Sequence, residues 1–213
     1  FLTVMSKLIS ILYFLITLSS FSQGFEGLIS YKITHTSLDS SINEIAAMPT
    51  KLDFYISGEL ARIDQSTKIG TQTTIIDTLL KRNILLINLM NKKFGIILND
   101  NDTNEFEKVI YLEESEFFLG IECKKAIMNS INKKSNRLTT STIYYTNKID
   151  NSYNMNFKKL KGFPIYYEII SDNIISTYLA VEMTKKKIDP KVFKIDNNTS
   201  IYKMEEFKAL MTQ

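Results

Sequence analysis

The chain has 213 residues, of which 44% are hydrophobic and 23% charged, and this is enough for one domain with a full hydrophobic core. Only 7 Gly, 3 Pro and no Trp are present, which excludes collagen-like and low-complexity proteins. The net charge is +3, and its 26 basic and 23 acidic residues are mixed along the chain, so no nucleic-acid partner is expected.

Residues 1–22 have the pattern of a secretory signal peptide. From Met5 the chain reads MSKLISILYFLITLSSFSQ, with one lysine, an apolar run over Leu8–Leu18 and small polar residues before Gln23. A helix over that run would be about 16 Å long, against roughly 30 Å of hydrocarbon, so a stable membrane span is not expected. No cysteine stands at the cleavage site for acylation. We therefore predict a natural start at Met5, a single domain over 23–213 and a periplasmic or extracellular location, with an uncleaved anchor as the alternative.

Alternating apolar and polar residues predict about ten antiparallel β-strands in the rest of the chain. The strand-like stretches in chain order are GLISYKITH, KLDFYIS, LARID, QTTIIDTLL, NILLINLM, FGIIL, EFFLGIECKKAI, LTTSTIYYT, PIYYEII and IISTYLAVEMT. Turns are expected at Ser57-Gly58-Glu59, Asn91-Lys92-Lys93 and Asp172-Asn173. Several stretches are apolar on both faces, so the sheet must be covered on both sides or curl round a helix or a ligand.

Three short helical segments are expected. Ser41–Glu44 has the spacing of a capping box, and Pro49 would stop that helix. Asp189-Pro190 fits the cap and first position of a second turn. Near the end, Asn198–Ser200 offers caps to a helix whose apolar positions are Met204, Phe207, Leu210 and Met211.

The single cysteine, Cys123, is predicted to be a buried structural residue. In GIECKKAI it shares the expected apolar face with Leu119, Ile121 and Ile127, where burial would raise its pKa and make the thiol inert. Lys124 is expected on the opposite face, and the only histidine, His35, ends the first strand. A cysteine–histidine nucleophile is therefore not favoured.

The acidic stretch NDNDTNEFE resembles part of a calcium loop but does not complete it. Asp100, Asp102 and Asn104 match the first ligand positions, whereas Glu105 replaces the turn glycine and Tyr111 replaces the final glutamate. A polar hairpin loop is the favoured interpretation, and no metal site is predicted.

Catalytic motifs are missing from the sequence. It contains no Gly-rich phosphate loop, dinucleotide fingerprint or nucleophile-elbow motif, so no cofactor and no catalytic residue are predicted. Glu113, Glu114 and Glu116 are the one candidate for carboxylate-based hydrolysis, although they are more typical of a solvated strand edge.

The apolar strand residues are the best candidates for ligand binding. A solidly filled core is one explanation for them, and a cavity for a lipid or an acyl chain is the other. The predicted ligand-binding face consists of Phe54, Ile56, Ile75, Leu86, Ile97, Tyr167 and Leu179.

A series of stretches across the whole mature chain resembles the GLPGLI family of secreted proteins, which is grouped with the LolA-like and LolB-like lipoprotein-localisation fold. The Gly-x-x-Cys-Lys-Lys-Ala and Lys-Gly-aromatic-Pro stretches contribute most to this resemblance. The stretches in order are GFEGLISYKI, LDFYISGELARID, LGIECKKA, STIYYTNKI, LKGFPIYYEI and DPKVFKI.

The resemblance implies a mainly β (α+β) fold, in which a curved antiparallel half-barrel of about ten strands wraps short helices. It also implies structural roles for Gly120, Cys123, Gly162 and Pro164. In Gly162-Phe163-Pro164 the glycine would turn the chain, and the proline could begin but not continue a central strand.

The expected function is that of a secreted periplasmic protein that is not an enzyme and binds a lipid or lipoprotein acyl chain on its apolar concave sheet. The alternative is a structural or protein-interaction module of the cell envelope with a solidly filled core. A carboxylate-based hydrolase is the more remote alternative.

Overall fold

A computed structural model describes most of the chain. The expected signal segment, the residues that would cap the first helix and most of the acidic loop lie outside the described residues. The described ranges are 24–38, 44–68, 70–89, 92–98, 104–132, 137–171 and 173–212.

In the described part of the chain, twelve strands form one open, curved sheet, which confirms the prediction of a mainly β, antiparallel half-barrel. Neighbouring strands are antiparallel except for the last one, which runs parallel to β6 at the sheet edge. The strands are β1 (Gly27–Ser37), β2 (Lys51–Ser57), β3 (Leu60–Thr67), β4 (Gly70–Asp77), β5 (Arg82–Leu89), β6 (Lys92–Leu98), β7 (Asn104–Phe118), β8 (Ile121–Asn132), β9 (Arg137–Thr146), β10 (Phe163–Ser171), β11 (Ile174–Lys185) and β12 (Ser200–Lys203).

The strand order across the sheet is β12-β6-β5-β4-β3-β2-β1-β11-β10-β9-β8-β7. The N-terminal strand therefore lies in the middle, between β2 and β11. The sheet has more strands than expected partly because EFFLGIECKKAI contributes to both β7 and β8, which meet at the turn Leu119-Gly120.

Short helices lie beside the sheet. A 3-10 helix spans Glu44–Ala47, and a second, Pro190–Phe193, is capped as predicted by Asp189, whose carboxylate accepts a hydrogen bond from the Lys191 N–H at 2.9 Å. The C-terminal helix α1 (Met204–Met211) does not use the predicted caps, because the residues before it form β12.

One face of the sheet, the inner face, contains most of the core. Cross-strand pairing aligns Ile29 of β1 with Phe54 of β2 and Ile63 of β3, and the period-2 alternation of strands keeps these side chains on one side. Ile29 is fully buried and Phe54 is 4% exposed. The Phe54 ring meets Phe163 edge-on, with 5.2 Å between the ring centroids.

The connection between β9 and β10, residues 147–162, covers part of the inner face, and we call it the inner segment. It has no regular secondary structure, so the curved sheet wraps an irregular segment rather than the expected helices. Its Phe157 ring packs edge-on against Tyr167 at 5.0 Å between centroids. Asn151 holds the segment together, because its side-chain amide donates to the carbonyls of Phe157 and Leu160 at 2.6 and 3.1 Å.

The outer face is covered in part by the chain that follows β11. The Arg62 guanidinium donates to the Val192 carbonyl at 2.9 Å and so fixes this chain across β3. Farther along, Ile201 lies against Gly95 of β6 beside Ile84, which is 2% exposed. Strands β4 to β6 are therefore packed on both faces, as their continuous apolar runs indicated.

Among the described residues, no helix has both the length and the apolar character needed to cross a bilayer.

Candidate functional site

A cavity of about 190 Å³ lies between the inner face of β2–β6 and the inner segment, and we call it the inner cavity. Its apolar wall is formed by Leu52, Phe54, Ile63, Leu85, Leu98 and Phe163. Met155 of the inner segment lies on the opposite side. This arrangement offers a short apolar channel that is partly open to solvent.

Two buried tyrosines form the floor of the inner cavity. Tyr31 donates its hydroxyl to the carbonyl of Pro164 at 2.7 Å, and its ring centroid lies 6.2 Å from that of Tyr167. Burial raises the pKa of both phenols well above the usual value for tyrosine. Both hydroxyls therefore stay neutral, and the floor presents no charge.

The mouth of the inner cavity is polar. Gln65 of β3 and Gln72 of β4 face each other across the strands, with Thr74 one step deeper. Asn156 of the inner segment lines the other side. In the described part of the chain, no Lys, Arg, His, Asp or Glu side chain lines this cavity. The site can thus hold an apolar group and form hydrogen bonds at its entrance.

Two further depressions are less suited to an apolar ligand. One of about 460 Å³ is lined by both Leu85 and Leu86, which point to opposite faces, so it is a groove around the strand ends. Another, on the outer face, is lined by Arg62, Lys93 and Asp196 among other residues, and the last two form an ion pair there.

The structure brings two of the seven predicted ligand-binding residues to the inner cavity, namely Phe54 and Tyr167. Ile56 is fully buried on the same face but lies away from the cavity, where it pairs with Ala61. The other four lie on the outer face: Ile75, Leu86, Ile97 and Leu179.

The register of β4 to β6 decides which predicted residues of these strands reach the cavity. Pairing aligns Ile75, Ile84 and Ile97 across β4, β5 and β6, one residue out of step with the cavity-lining Leu85. A shift of one residue moves a side chain to the opposite face of a strand. Because these strands are apolar on both faces, hydrophobicity alone does not distinguish the two sides.

Cys123 is fully buried, and its thiol lies 3.5 Å from the Ile121 carbonyl. Burial raises the pKa of the thiol to about 11. Lys124 is exposed, and the Lys125 ammonium pairs with Glu114 at 2.7 Å. Neither lysine activates the thiol.

The apolar face expected around Cys123 is not regular. Ile121 and Cys123 are buried, but the next buried position is Ala126, so the alternation shifts by one residue between them. Opposite this point, β7 has three residues against one residue of β8, which is a bulge. As a result Ala126 is buried in the core with Cys123, and Ile127, which was predicted to share the face of Cys123, lies on the other face.

The remaining predicted structural residues lie at turns and strand ends. Gly120 has a φ of +73° in the β7–β8 turn. Gly162 precedes β10 where the chain runs tightly against β9. Pro164 is the second residue of β10, beside a bulge, which fits a residue that cannot donate to a ladder.

Other polar groups named from the sequence lie apart from the inner cavity. His35 contacts the Ser176 hydroxyl at 2.8 Å and the Pro49 carbonyl at 2.7 Å, and not Cys123. Glu113 and Glu116 are exposed on the edge strand β7. Within the described ranges, no three His, Cys, Asp or Glu side chains are placed to hold a metal ion.

Sequence reasoning missed the polar side of the cavity. The signal was present in β3 and β4, where Gln65, Gln72 and Thr74 interrupt a face that is otherwise occupied by Ala61, Ile63 and Ile76. Polar residues at inward positions of a strand are unusual and mark either a hydrogen-bonded core or a site. The contribution of Asn156 had no such signal, because the inner segment has no periodicity.

Comparison with known proteins finds a similar fold and no family. The chain matches no model of a known protein family and no curated protein sequence. It is similar to part of PNGF-II, whose structure was solved in space group P21, with a TM-score of 0.57 and 14% identity over 89% of this chain. The chain spans about a third (34%) of the length of that protein. At this identity the likeness concerns the fold alone.

Proposed function

We propose that this protein is a secreted envelope protein that binds the acyl chain of a lipid or lipoprotein in its inner cavity and catalyses no reaction. The observation that supports the proposal best is the partly open inner cavity, whose wall is formed by aliphatic and aromatic side chains on a curved sheet. Membership of the GLPGLI family, with its LolA-like fold, is part of the same proposal and rests on the sequence stretches named above.

The size of the cavity limits what it holds. Small-molecule sites usually measure roughly 300–1,000 Å³, whereas the inner cavity measures about 190 Å³. It therefore accommodates a part of one acyl chain, and the rest of the ligand extends past the mouth. Burial of that chain segment is the main driving force, at about 0.8 kcal/mol for each CH₂ group.

Native mass spectrometry of the protein purified without detergent tests the proposal. We expect a co-purifying lipid mass that is lost on denaturation. A Leu85→Trp variant fills the cavity from β5 and should weaken binding of a fluorescent acyl probe by about tenfold or more, since overlap typically costs 1–3 kcal/mol.

Leu86→Trp is the matched control, because Leu86 is the next residue of the same strand and points to the outer face. It should leave acyl binding unchanged. A protein that is empty on purification and binds no acyl probe would overturn the proposal. Equal affinities of the Leu85→Trp and Leu86→Trp variants for the acyl probe would also overturn it.

A second candidate function is that of an envelope interaction module with a filled interior. The observation that favours it is the inner segment, whose Phe157 and Leu160 are only 2% and 4% exposed and occupy much of the inner face. An empty protein in native mass spectrometry, together with a stable complex with one identified envelope protein, would support this candidate.

A further inference from the structure

Two facing glutamines lie at the entrance of the inner cavity. Gln65 and Gln72 pair across β3 and β4, and both line the cavity. Among the described residues, no protein group forms a hydrogen bond with either side-chain amide. Each amide offers one carbonyl acceptor and two N–H donors. Gln65 is half-buried and Gln72 is exposed, so both amides face solvent when the cavity is empty. A ligand that enters the cavity therefore meets two donor and acceptor pairs side by side, in place of water.

The cavity discriminates against charged ligand groups. No cationic side chain of the described residues lines it, and the two phenols on its floor, Tyr31 and Tyr167, remain neutral. A carboxylate or phosphate drawn past the mouth into the cavity would lose hydration without gaining an opposite charge, and such unpaired ions are costly to bury. The polar group of the ligand should therefore be uncharged.

We propose that the ligand is an uncharged acyl amide, whose chain enters the inner cavity and whose amide group pairs with Gln65 and Gln72. This inference rests on the proposed function, since it names the head group of the same ligand. An amide accepts one hydrogen bond at its carbonyl and donates another from its N–H, so it complements one N–H and one carbonyl of the glutamine pair. An ester accepts but does not donate, and a carboxylate brings the unpaired charge.

Three ligands with chains of equal length test this assignment: decanamide, methyl decanoate and decanoate. Titration calorimetry of the purified protein at neutral pH should give the tightest binding for decanamide, by about tenfold over decanoate, as expected for one or two net hydrogen bonds. Methyl decanoate should bind with intermediate affinity.

A double variant, Gln65→Leu with Gln72→Leu, separates head-group recognition from chain binding. We expect it to bind all three ligands and to lose the preference for the amide. Thr71→Leu is the control, because Thr71 neighbours Gln72 on β4 and points to the outer face. The readout is the ratio of the dissociation constants for decanoate and decanamide, since a general loss of fold would lower both affinities alike.

The outcomes separate this inference from the proposal on which it rests. Equal affinities for decanamide and decanoate, or an amide preference that survives in the double variant, would overturn the acyl-amide assignment and leave acyl binding intact. Failure of all three ligands to bind would overturn both.

Discussion

Gly162 occupies a position where the sheet leaves no room for a side chain. A Cβ atom built at this residue would lie 2.5 Å from the Thr146 carbonyl oxygen and 2.7 Å from the Tyr145 ring. The backbone of β9 is held on both sides by strand pairing and cannot move aside cheaply. The requirement for glycine here therefore comes from close approach, rather than from the turn geometry that the sequence suggested.

A Gly162→Ala variant should lower the free energy of unfolding by about 1–3 kcal/mol, the usual range for overpacking a tight site. The midpoint of urea denaturation measures this loss. Gly24→Ala is the control, because no atom lies within 4 Å of a Cβ at Gly24. A Gly162→Ala protein as stable as the control would contradict the close approach.

At the scale of single elements, the β7–β8 hairpin contains an unfavourable residue. Phe118 pairs with Ile121, which leaves a two-residue loop of Leu119 and Gly120 with φ values of 52° and 73°. Positive φ at both central residues is the pattern of a type I′ turn, which favours Asn-Gly. Leucine is strained in this conformation, and its side chain is 45% exposed, so little packing compensates for the strain.

We expect Leu119→Asn to raise the free energy of unfolding by about 1 kcal/mol, because asparagine tolerates the left-handed conformation. Leu79→Asn is a suitable comparison, since Leu79 is a 74% exposed leucine in the β4–β5 turn without a positive φ. Thermal or urea denaturation of both variants checks the expectation. A higher free energy of unfolding in both variants would point to reduced exposed apolar surface instead of relief of backbone strain.

The elements that followed local rules could be predicted, and those set by tertiary packing could not. The Asp189 cap and the Gly58 turn depend on neighbouring residues only, and the structure has both. The bulge opposite Cys123 and the path of the inner segment depend on contacts with distant strands. Three of the predicted ligand residues, Ile75, Leu86 and Ile97, lie on the outer face for the same reason, because the register of β4 to β6 decides which side faces inward.

At the scale of the whole molecule, three buried acidic groups make the fold sensitive to alkaline pH. Burial holds the pKa of the Cys123 thiol at about 11 and raises the pKa of Tyr31 and of Tyr167. In the unfolded chain these groups ionise earlier, with pKa values of about 8.5 for cysteine and 10 for tyrosine. Above those values the unfolded state binds fewer protons than the folded state, so stability falls as the pH rises.

We expect the free energy of unfolding to be almost constant from neutral pH to about pH 8 and to decrease above it, first through the thiol and then through the phenols. Urea denaturation at successive pH values measures the curve. A Cys123→Ala variant, although less stable overall, should lose about 2 kcal/mol less than the parent between roughly pH 9 and pH 11. Parallel curves for the two proteins would contradict a buried neutral thiol.

The central position of β1 also determines how the chain must fold. Strands β2 to β6 and strands β7 to β11 each form by successive pairing of near neighbours. Among the described strands only β1 joins the two groups, through β2 on one side and β11 on the other. Gly27 of β1 pairs with Lys185 of β11, far along the chain. Such long-range pairing gives a high contact order, which slows folding to the range of milliseconds to seconds. The two groups are therefore joined only after β11 has been synthesised, and until then each keeps an unpaired strand edge exposed.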